Sequence, residues 1–353
     1  MRTPKFASPG LTAALASAVL FGATTPIAKQ LLAGASPLLV AGLLYLGSGI
    51  GVSLLRVVRD HGWSPTGLAH SDWPWLAAAT VAGGIVAPVL LMVGLTQADA
   101  ATASLLLNLE AVFTAVLAWL VFREATSRRV VFGFIAIFLG GLLLAWPTQT
   151  VSPGRSVGLL TVTAACLCWG VDNNLTRKIS AADSHVIAAI KGLVAGTTNT
   201  VLAVGLGANF PTLPYLAGTL ALGFAGYGVS LVLFIVALRH LGTARTGAYF
   251  STAPFIGTAL AVVWYGQPIT LGFWLAAGLM GLGVWLHVTE HHEHVHVHEA
   301  LTHSHPHEHD EHHQHEHREE WDGAEPHLHE HRHEPIRHHH PHFPDIHHQH
   351  RHG

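Results

Sequence analysis

Apolar residues in this chain come in long runs broken by short polar stretches, with neither a strand-like alternation nor a polar helix face through most of its length. A run of about 20 largely apolar residues is what a helix needs to cross the hydrocarbon of a bilayer. Ten stretches meet that requirement: 11–32, 37–56, 74–96, 101–121, 130–146, 157–176, 186–206, 214–237, 246–264 and 270–288. Each reads as a helix, because a segment in lipid must satisfy its own backbone hydrogen bonds. The short connections between them predict neighbouring spans in close contact. Past residue 288 the pattern changes abruptly. Residues 289–353 interleave His with Glu, Asp, Pro and Arg and hold too few apolar positions to bury a core, so this tail is predicted to be disordered without metal.

Composition sharpens the division. Soluble domains carry about 25% charged residues, whereas this chain has 11% and a mean hydropathy of +0.39. Residues 1–286 hold 14 Lys/Arg against 7 Asp/Glu, and residues 287–353 hold 4 against 14, so the net charge of −3 joins a basic body to an acidic tail. Lys and Arg also orient the spans, since they concentrate in cytoplasmic loops. With the N-terminus inside, the cytoplasmic segments carry Arg2, Lys5, Arg56, Arg59, Arg123, Arg128, Arg129, Arg177, Lys178, Arg239 and Arg245, while the other side has Lys29 and Arg155. Ten crossings then place the C-terminal tail in the cytoplasm as well, in a multi-pass protein of the plasma or inner membrane. Arg2 and Lys5 precede the first run as in a signal peptide, but the run continues through Pro26 and more follow, so an uncleaved first span is expected. The two cysteines, Cys166 and Cys168, form neither a disulfide framework nor a CxxC pair and read as small buried residues.

The two halves look alike. Phe21–Lys29 reads FGATTPIAK and Trp169–Arg177 reads WGVDNNLTR; an offset of 148 aligns Gly22 with Gly170 and Lys29 with Arg177. Further on, an offset of 143 aligns Gly94–Arg123 with Ala237–Gly266 and Gly140 with Gly283. Five spans per half means that the second copy enters the membrane the opposite way up, an arrangement found in many secondary transporters. The paired aromatic-Gly…Lys/Arg pattern resembles the EamA domain of the drug/metabolite transporter superfamily. So does NLEAVFTAVLAWLVFREATSRRVVFGFIAIFLGGLLL, with Glu124 at the loop glutamate, and so does STAPFIGTALAVVWYGQPITLGFWLAAGLMGLGVWL. The resemblance implies an all-α membrane fold of ten transmembrane helices in two inverted five-helix repeats, 11–146 and 157–288, and solute transport. The chain departs from the pattern where Ala111 replaces a proline that Pro254 keeps, where Gln267 stands opposite Glu124, and in the whole tail.

Charges within spans are costly and point to function. Glu110 lies near the middle of the fourth span, Asp172 in the cytoplasmic third of the sixth and Lys191 in the cytoplasmic half of the seventh. Glu110 reads either as a proton carrier or cation contact facing a cavity, or as a static protonated carboxyl bonded to a neighbouring helix through Asn108. Asp172 and Lys191 read either as a static ion pair, with Lys191 alternatively reaching for the inner interface, or as a gate. Asn173 and Asn174 follow Asp172 and are candidates for the same cavity, with Trp169 and Tyr249 as aromatic walls. The transport-pathway candidates are therefore Glu110, Asp172, Asn173, Lys191 and Asn108. The clustered glycines, among them Gly47, Gly49, Gly51, Gly83, Gly84, Gly140, Gly278 and Gly281, read chiefly as helix contacts. Pro26, Pro88 and Pro254 each remove a backbone donor. There is no Ser/His/Asp grouping, P-loop or GxGxxG in a usable context, so no enzyme is expected, and no basic-aromatic pattern argues for nucleic acid.

Of 30 histidines, 26 fall between His287 and His352. In an extended chain residues i and i+2 share a face, so H-x-H pairs such as His303/His305 and His327/His329 converge on one ion. Candidate ligands are His291, His292, His294, His296 and His298; His303, His305, His307 and His309; His312, His313, His315 and His317; and His327, His329, His331 and His333. Neutral imidazole suits Zn²⁺, Ni²⁺, Co²⁺ or Cu²⁺. No cofactor is required by the body. Expected partners are the lipid bilayer, a small-molecule substrate, divalent metal ions and, as an option, a second copy in a homodimer. Three functions compete: a permease exporting an organic metabolite or drug, a divalent-metal transporter fed by the tail, and a membrane-tethered metal sensor without flux.

Overall fold

The computed structural model describes residues 9–60, 66–122, 128–145, 153–179, 182–266 and 269–289, and four tail segments, 293–297, 301–307, 327–333 and 337–341. It divides into two units. The first, Met1–Glu290 with Pro344–Gly353, is helical among its described residues; the second is His291–Phe343.

The helical unit follows the apolar runs. Its helices are α1 (Pro9–Leu31), α2 (Pro37–Arg59), α3 (Trp73–Ala79), α4 (Ala87–Gln97), α5 (Ala100–Leu106), α6 (Leu109–Phe122), α7 (Arg128–Ala145), α8 (Pro153–Arg177), α9 (Ser184–Gly205), α10 (Leu213–Gly223), α11 (Ser230–Phe250), α12 (Ala253–Tyr265) and α13 (Leu271–Val288). Seven continuous stretches are long and apolar enough to cross a membrane: 9–31, 37–59, 70–97, 100–121, 154–177, 184–205 and 213–237. Three shorter apolar helices, Val131–Leu144, Ala253–Tyr265 and Leu271–Leu286, accompany them. Many large apolar side chains face outward, including Val58, Leu160, Val263 and Leu271, each more than two-thirds exposed, as a surface made for lipid requires.

Two boundaries differ from those predicted. The helix of the eighth stretch continues through Phe250, beyond 237, because residues 238–245 are mostly good helix formers; the chain turns at Ser251–Thr252. Pro254 therefore sits in the first turn of α12, where no helical hydrogen bond is lost. A second turn, at Leu107–Asn108, splits the fourth stretch.

α3 and α4 are joined by a π-helical stretch, Thr80–Val86, and α10 and α11 by another, Phe224–Val229. In the first, the Ala87 amide reaches back five residues to the Ala82 carbonyl. In the second, Ser230 does the same to Ala225.

The helices pair in a regular way. α2 lies along α9, α7 along α13, α1 against α11 and α12, and α8 against α4 and α6. Small residues allow the approach. A Cβ on Gly49 would strike the Gly192–Leu193 backbone, and one on Gly192 would strike Gly49. Gly140 lies on Ala276 and Met280, while Gly283 lies on Gly133 and Ile137. Gly278 and Gly281, in contrast, meet open space.

In the second unit, β1 (Glu293–Val297) pairs antiparallel with β4 (Arg337–Pro341), and β2 (Leu301–His307) pairs antiparallel with β3 (His327–His333). The H-x-H repeat has the period of two that a strand uses. Among the metal-ligand candidates, His291, His292, His298, His309, His312, His313, His315 and His317 lie outside the described residues, as do Glu124 and Gln267.

Candidate functional site: a polar seam between α6, α8 and α9

α8 carries Trp169, Gly170, Asp172, Asn173, Asn174 and Thr176 over two turns, and its neighbours supply a partner for each polar group among them. Asp172 and Lys191 are both buried and paired, with Lys191 Nζ 2.5 Å and 2.7 Å from the two carboxylate oxygens. Thr176, one turn on, donates to Asp172 Oδ1 at 2.9 Å and lies 3.3 Å from Lys191 Nζ. The sequence left open whether Lys191 reaches for the interface; it does not.

Asn173 turns toward α6. Its Nδ2 donates to Glu110 Oε1 at 2.9 Å and to Thr114 Oγ1 at 3.2 Å. Asn174 donates to the Thr114 carbonyl at 2.9 Å and back to Gly170 at 2.8 Å. Gly170 makes this approach possible, since a Cβ there would meet Phe113 and Thr114. Gly22, its counterpart in the 148-residue alignment, lies in the same way on the Ala253 carbonyl.

Asn108 is not the partner of Glu110. It occupies the turn between α5 and α6, where its Nδ2 donates to the Leu105 carbonyl at 3.0 Å and stands 4.0 Å from Met280 Sδ, leaving its buried Oδ1 without a protein partner. Thr114 and Thr176 were not singled out from the sequence. Each lies four residues beyond a charged residue, the spacing of one helix face, and that signal could have found them.

Gly83 ties the seam to the π-helical stretch. A Cβ at this position would fall on the Asp172 carboxylate. Its carbonyl accepts two side-chain bonds, from Tyr45 at 2.7 Å and from Trp169 Nε1 at 3.0 Å. The five-residue register explains why. After Ala87 bonds Ala82, the next donor would be residue 88 to Gly83, and residue 88 is proline, with no N–H to give. The freed carbonyl is satisfied by side chains from α2 and α8, as a backbone group in lipid must be.

Above this lies a cluster of rings. Phe21 stands 6.3 Å from Trp169, 5.8 Å from Tyr227 and 5.3 Å from Phe250, and Tyr45 stands 5.2 Å from Tyr227, centroid to centroid. Trp169 and Phe250 both pack against Phe21 in this cluster, whereas Tyr249 packs near Ala13, Ala14 and Ala237. Two apolar grooves of about 420 Å³ and 410 Å³ lie elsewhere, one near Ser36, Val93 and Ala208, the other along Gly47, Leu54 and Phe224; neither is lined by the seam.

The helix ends carry two further polar sets. At the end of α2, Arg56 and Arg59 reach Asp183, the N-cap of α9, at 3.3 Å and 2.8 Å. Arg59 also pairs with Asp60 at 2.5 Å and lies 2.8 Å from His185 Nδ1. Partial burial pushes the Asp183 carboxyl up, but hydrogen bonds from His185 and Arg59 outweigh it and hold the group well below the usual carboxylate range. Lys29, at the end of α1, donates to the Leu95 and Ala98 carbonyls at 2.7 Å and 2.6 Å, where α4 ends. A cation there meets the negative end of the helix dipole. Nearby in the chain, Asp99 pairs with Arg155 at 3.8 Å. Among the described residues no group of three or more His, Cys, Asp or Glu is placed to hold a metal ion.

Comparison with known proteins places these features. The model of the EamA-like transporter family matches residues 8–146 and 156–289, two copies in succession. An uncharacterized transporter of Methanothermobacter thermautotrophicus is 26% identical over 295 residues, covering 78% of this chain and 85% of that protein. The uncharacterized inner membrane transporter YedA of Escherichia coli K12 is 23% identical over 275 residues, covering 75% and 86%. Over 107 residues the chain is 33% identical to a probable 4-amino-4-deoxy-L-arabinose-phosphoundecaprenol flippase subunit, ArnE, of Pseudomonas aeruginosa, covering 30% of this chain and 89% of that one. A crystal structure 18% identical in sequence superposes with a TM-score of 0.61, over 79% of this chain and 98% of the other, a likeness of fold.

Proposed function

Because the chain belongs to the EamA-like transporter family, we propose that this multi-pass membrane protein is a secondary transporter that exports a small organic solute. Glu110, Asn173, Asp172 and Lys191 would line its pathway, with Asn108 at its margin. The observation that carries this reading is the polar seam itself. Asp172, Lys191, Asn174 and Asn108 are buried inside an apolar bundle and half-buried Glu110 is bonded to exposed Asn173 beside them; charges so placed are expensive and commonly mark pathways. The aromatic cluster beside the seam supplies apolar walls for an organic solute.

The reading includes ten crossings in two inverted copies with both termini cytoplasmic. The three shorter apolar helices bring the seven long stretches to ten. The contacts support the repeat. Gly49 and Gly192 meet each other at an offset of 143, and the Gly140–Ala276–Met280 contact becomes Gly283–Gly133–Ile137 when each number is exchanged for its partner at that offset. A contact that exchanges with itself is the mark of a two-fold axis. The π-helical acceptors Ala82 and Ala225 obey the same offset.

The test is efflux from cells expressing the full chain, measured over a panel of organic cations, anions and amino acids, beside Glu110→Gln. Export of at least one compound, lost in Glu110→Gln, supports the reading. A panel wholly unaffected by the protein would overturn it.

The tail favours a second reading, a divalent-metal transporter whose tail collects Zn²⁺, Ni²⁺, Co²⁺ or Cu²⁺ at the cytoplasmic mouth. Under that reading cell metal content changes on expression, the change weakens in Glu110→Ala, and a chain ending at Val288 loses part of it. A tethered metal sensor would move neither solute nor ion.

A further inference from the structure

Residues that are partners at the offsets of 143 and 148 fill corresponding places in the two copies. If both copies were equally closed, both members of each pair would be equally buried. They are not. Where α1, α5 and α12 meet, Ala253, Thr25 and Ser104 are 0%, 3% and 1% exposed. Ser104 lies on Gly257: a Cβ there would be 3.1 Å from its Oγ and 3.3 Å from its Cβ. Thr258 reaches the Ala101 carbonyl at 3.3 Å, and Ala100, Ala101 and Ala261 pack together beside it. The corresponding set, on α8, α6 and the end of α11, is open. Glu110, the partner of Ala253, is half-buried, and so is Thr114, the partner of Gly257. Asn173, the partner of Thr25, is exposed. A Cβ on Gly247, the partner of Ser104, would meet nothing within 4 Å. α5 packs along α12, whereas among the described residues α6 and α11 make no comparable contact.

Lipid does not account for the exposure of Asn173. The outward side of α8 carries Leu160 and Leu167, both exposed. Asn173 instead follows Cys166, Trp169 and Gly170, all buried, at the spacings of one helix face. The space beside it is therefore internal. The two spans that frame this space break at matching places, since Asn108 and Ser251, each in its turn, are partners at 143. With the orientation proposed above, α5 and α12 are the outer halves of these spans, and α6 and the last turns of α11 are the cytoplasmic halves. The outer halves touch and the cytoplasmic halves stand apart. Transporters built of inverted copies move by rocking one part against the other.

We propose that the structure is the cytoplasm-open state, that Glu110, Asn173 and Thr114 face its solute chamber, and that Gly247 docking on Thr114, as Ser104 now docks on Gly257, is the contact that shuts it. This rests on the transporter reading above and adds the residues of its inner gate. Closure would bury Glu110 and Asn173 as Ala253 and Thr25 are now buried. Position 247 is then small for a neighbour that it meets only in the other state.

The test uses the full chain in membrane vesicles, with Cys166→Ala and Cys168→Ala as background. Thr114→Cys with Gly247→Cys places two thiols where the mirrored contact would bring their Cβ atoms to disulfide spacing, about 3.5–4.5 Å. Oxidation should join them, as read by mass spectrometry, and the joined chain should lose efflux of the organic cations, anions and amino acids of the panel above. Asn173→Cys should react with a membrane-impermeant maleimide from the cytoplasmic side and lose that reactivity once 114 and 247 are joined. Gly247→Trp should melt like the native chain, because its space is open, yet lose efflux, because closure is blocked. Gly247→Ser, which takes the residue of its partner, should keep efflux. No disulfide under any condition, or efflux retained in Gly247→Trp, would overturn the gate and leave the transporter reading standing. A marked fall in the melting temperature of Gly247→Trp, or labelling of Asn173→Cys from the outer face instead, would overturn the cytoplasm-open state. A disulfide that protects Asn173→Cys in a chain that exports no compound of the panel would overturn the solute reading and leave the gate.

Discussion

Two sets of opposed charges hold α2, α8 and α9, and they differ in surroundings more than in chemistry. At the ends of α2 and α9, Arg56 and Arg59 share Asp60 and Asp183, and Arg59 is 46% exposed. In the interior, Lys191 and Asp172 are each 8% exposed, and Thr176 joins them. The rim set has alternatives: lose one partner and another, or water, takes its place. The inner pair has little else to turn to. The contrast teaches that a count of ion pairs says little about this protein, whereas the place of each pair says which one its packing depends on.

That contrast can be broken at the inner pair first. Lys191→Met leaves the Asp172 carboxylate buried and unpaired, and removal of one partner of such a pair costs about 3–5 kcal/mol. Thermal unfolding in detergent should report the loss, and Asp172→Asn with Lys191→Met should recover most of it. If Lys191→Met alone unfolds like the native chain, the pair is not structural. Export by the stable double variant then separates a static pair from a gate, since only a gate needs the charges. Next in size is Gly83→Ala. Its new methyl falls where the Asp172 carboxylate lies, and overpacking of this kind costs about 1–3 kcal/mol; an unchanged melting temperature would show that the π-helical stretch yields easily.

Smaller still is Tyr45→Phe. It removes one of two donors to the Gly83 carbonyl, a loss of about 0.5–1.5 kcal/mol. Tyr45→Phe with Trp169→Phe should lose more than the two singles together, because only then is the carbonyl left without a donor. The rim should respond least. Asp183→Asn is expected to cost about 1 kcal/mol or less. The Asp183 carboxyl is held below its ordinary value in the folded chain, so its contribution is complete above the unfolded value of about 3.9 and fades as pH falls below it. The stability difference between wild type and Asp183→Asn should stay level from pH 5 to 8 and shrink in acid. A difference that shrinks as pH rises would reverse the assignment.

The apolar runs were legible because lipid demands them, and the charges within them because lipid penalises them. Asp172 and Lys191 were legible even as partners, since few other charges lie so deep. The partner of Glu110 was not: Asn108 is near it in sequence, but the pairing of α6 with α8 that brings Asn173 to it is a tertiary choice. Pro88 could be seen to free a carbonyl. That the local register steps back five residues, so that the freed group is Gly83, could not be read from composition or period. The eighth span ends at 237 as predicted, but its helix, α11, runs on to Phe250, because the basic residues of 238–245 look like a loop while remaining good helix formers.

The Gly83 carbonyl carries one further consequence, for descent. Proline at 88, a hydroxyl at 45 and an indole at 169 answer to one oxygen atom. A lineage with an amide at 88 would relax selection on the phenol and the indole together. One that lost either ring first would meet a barrier to losing the other. These three positions should change in company across the branches of its phylogeny.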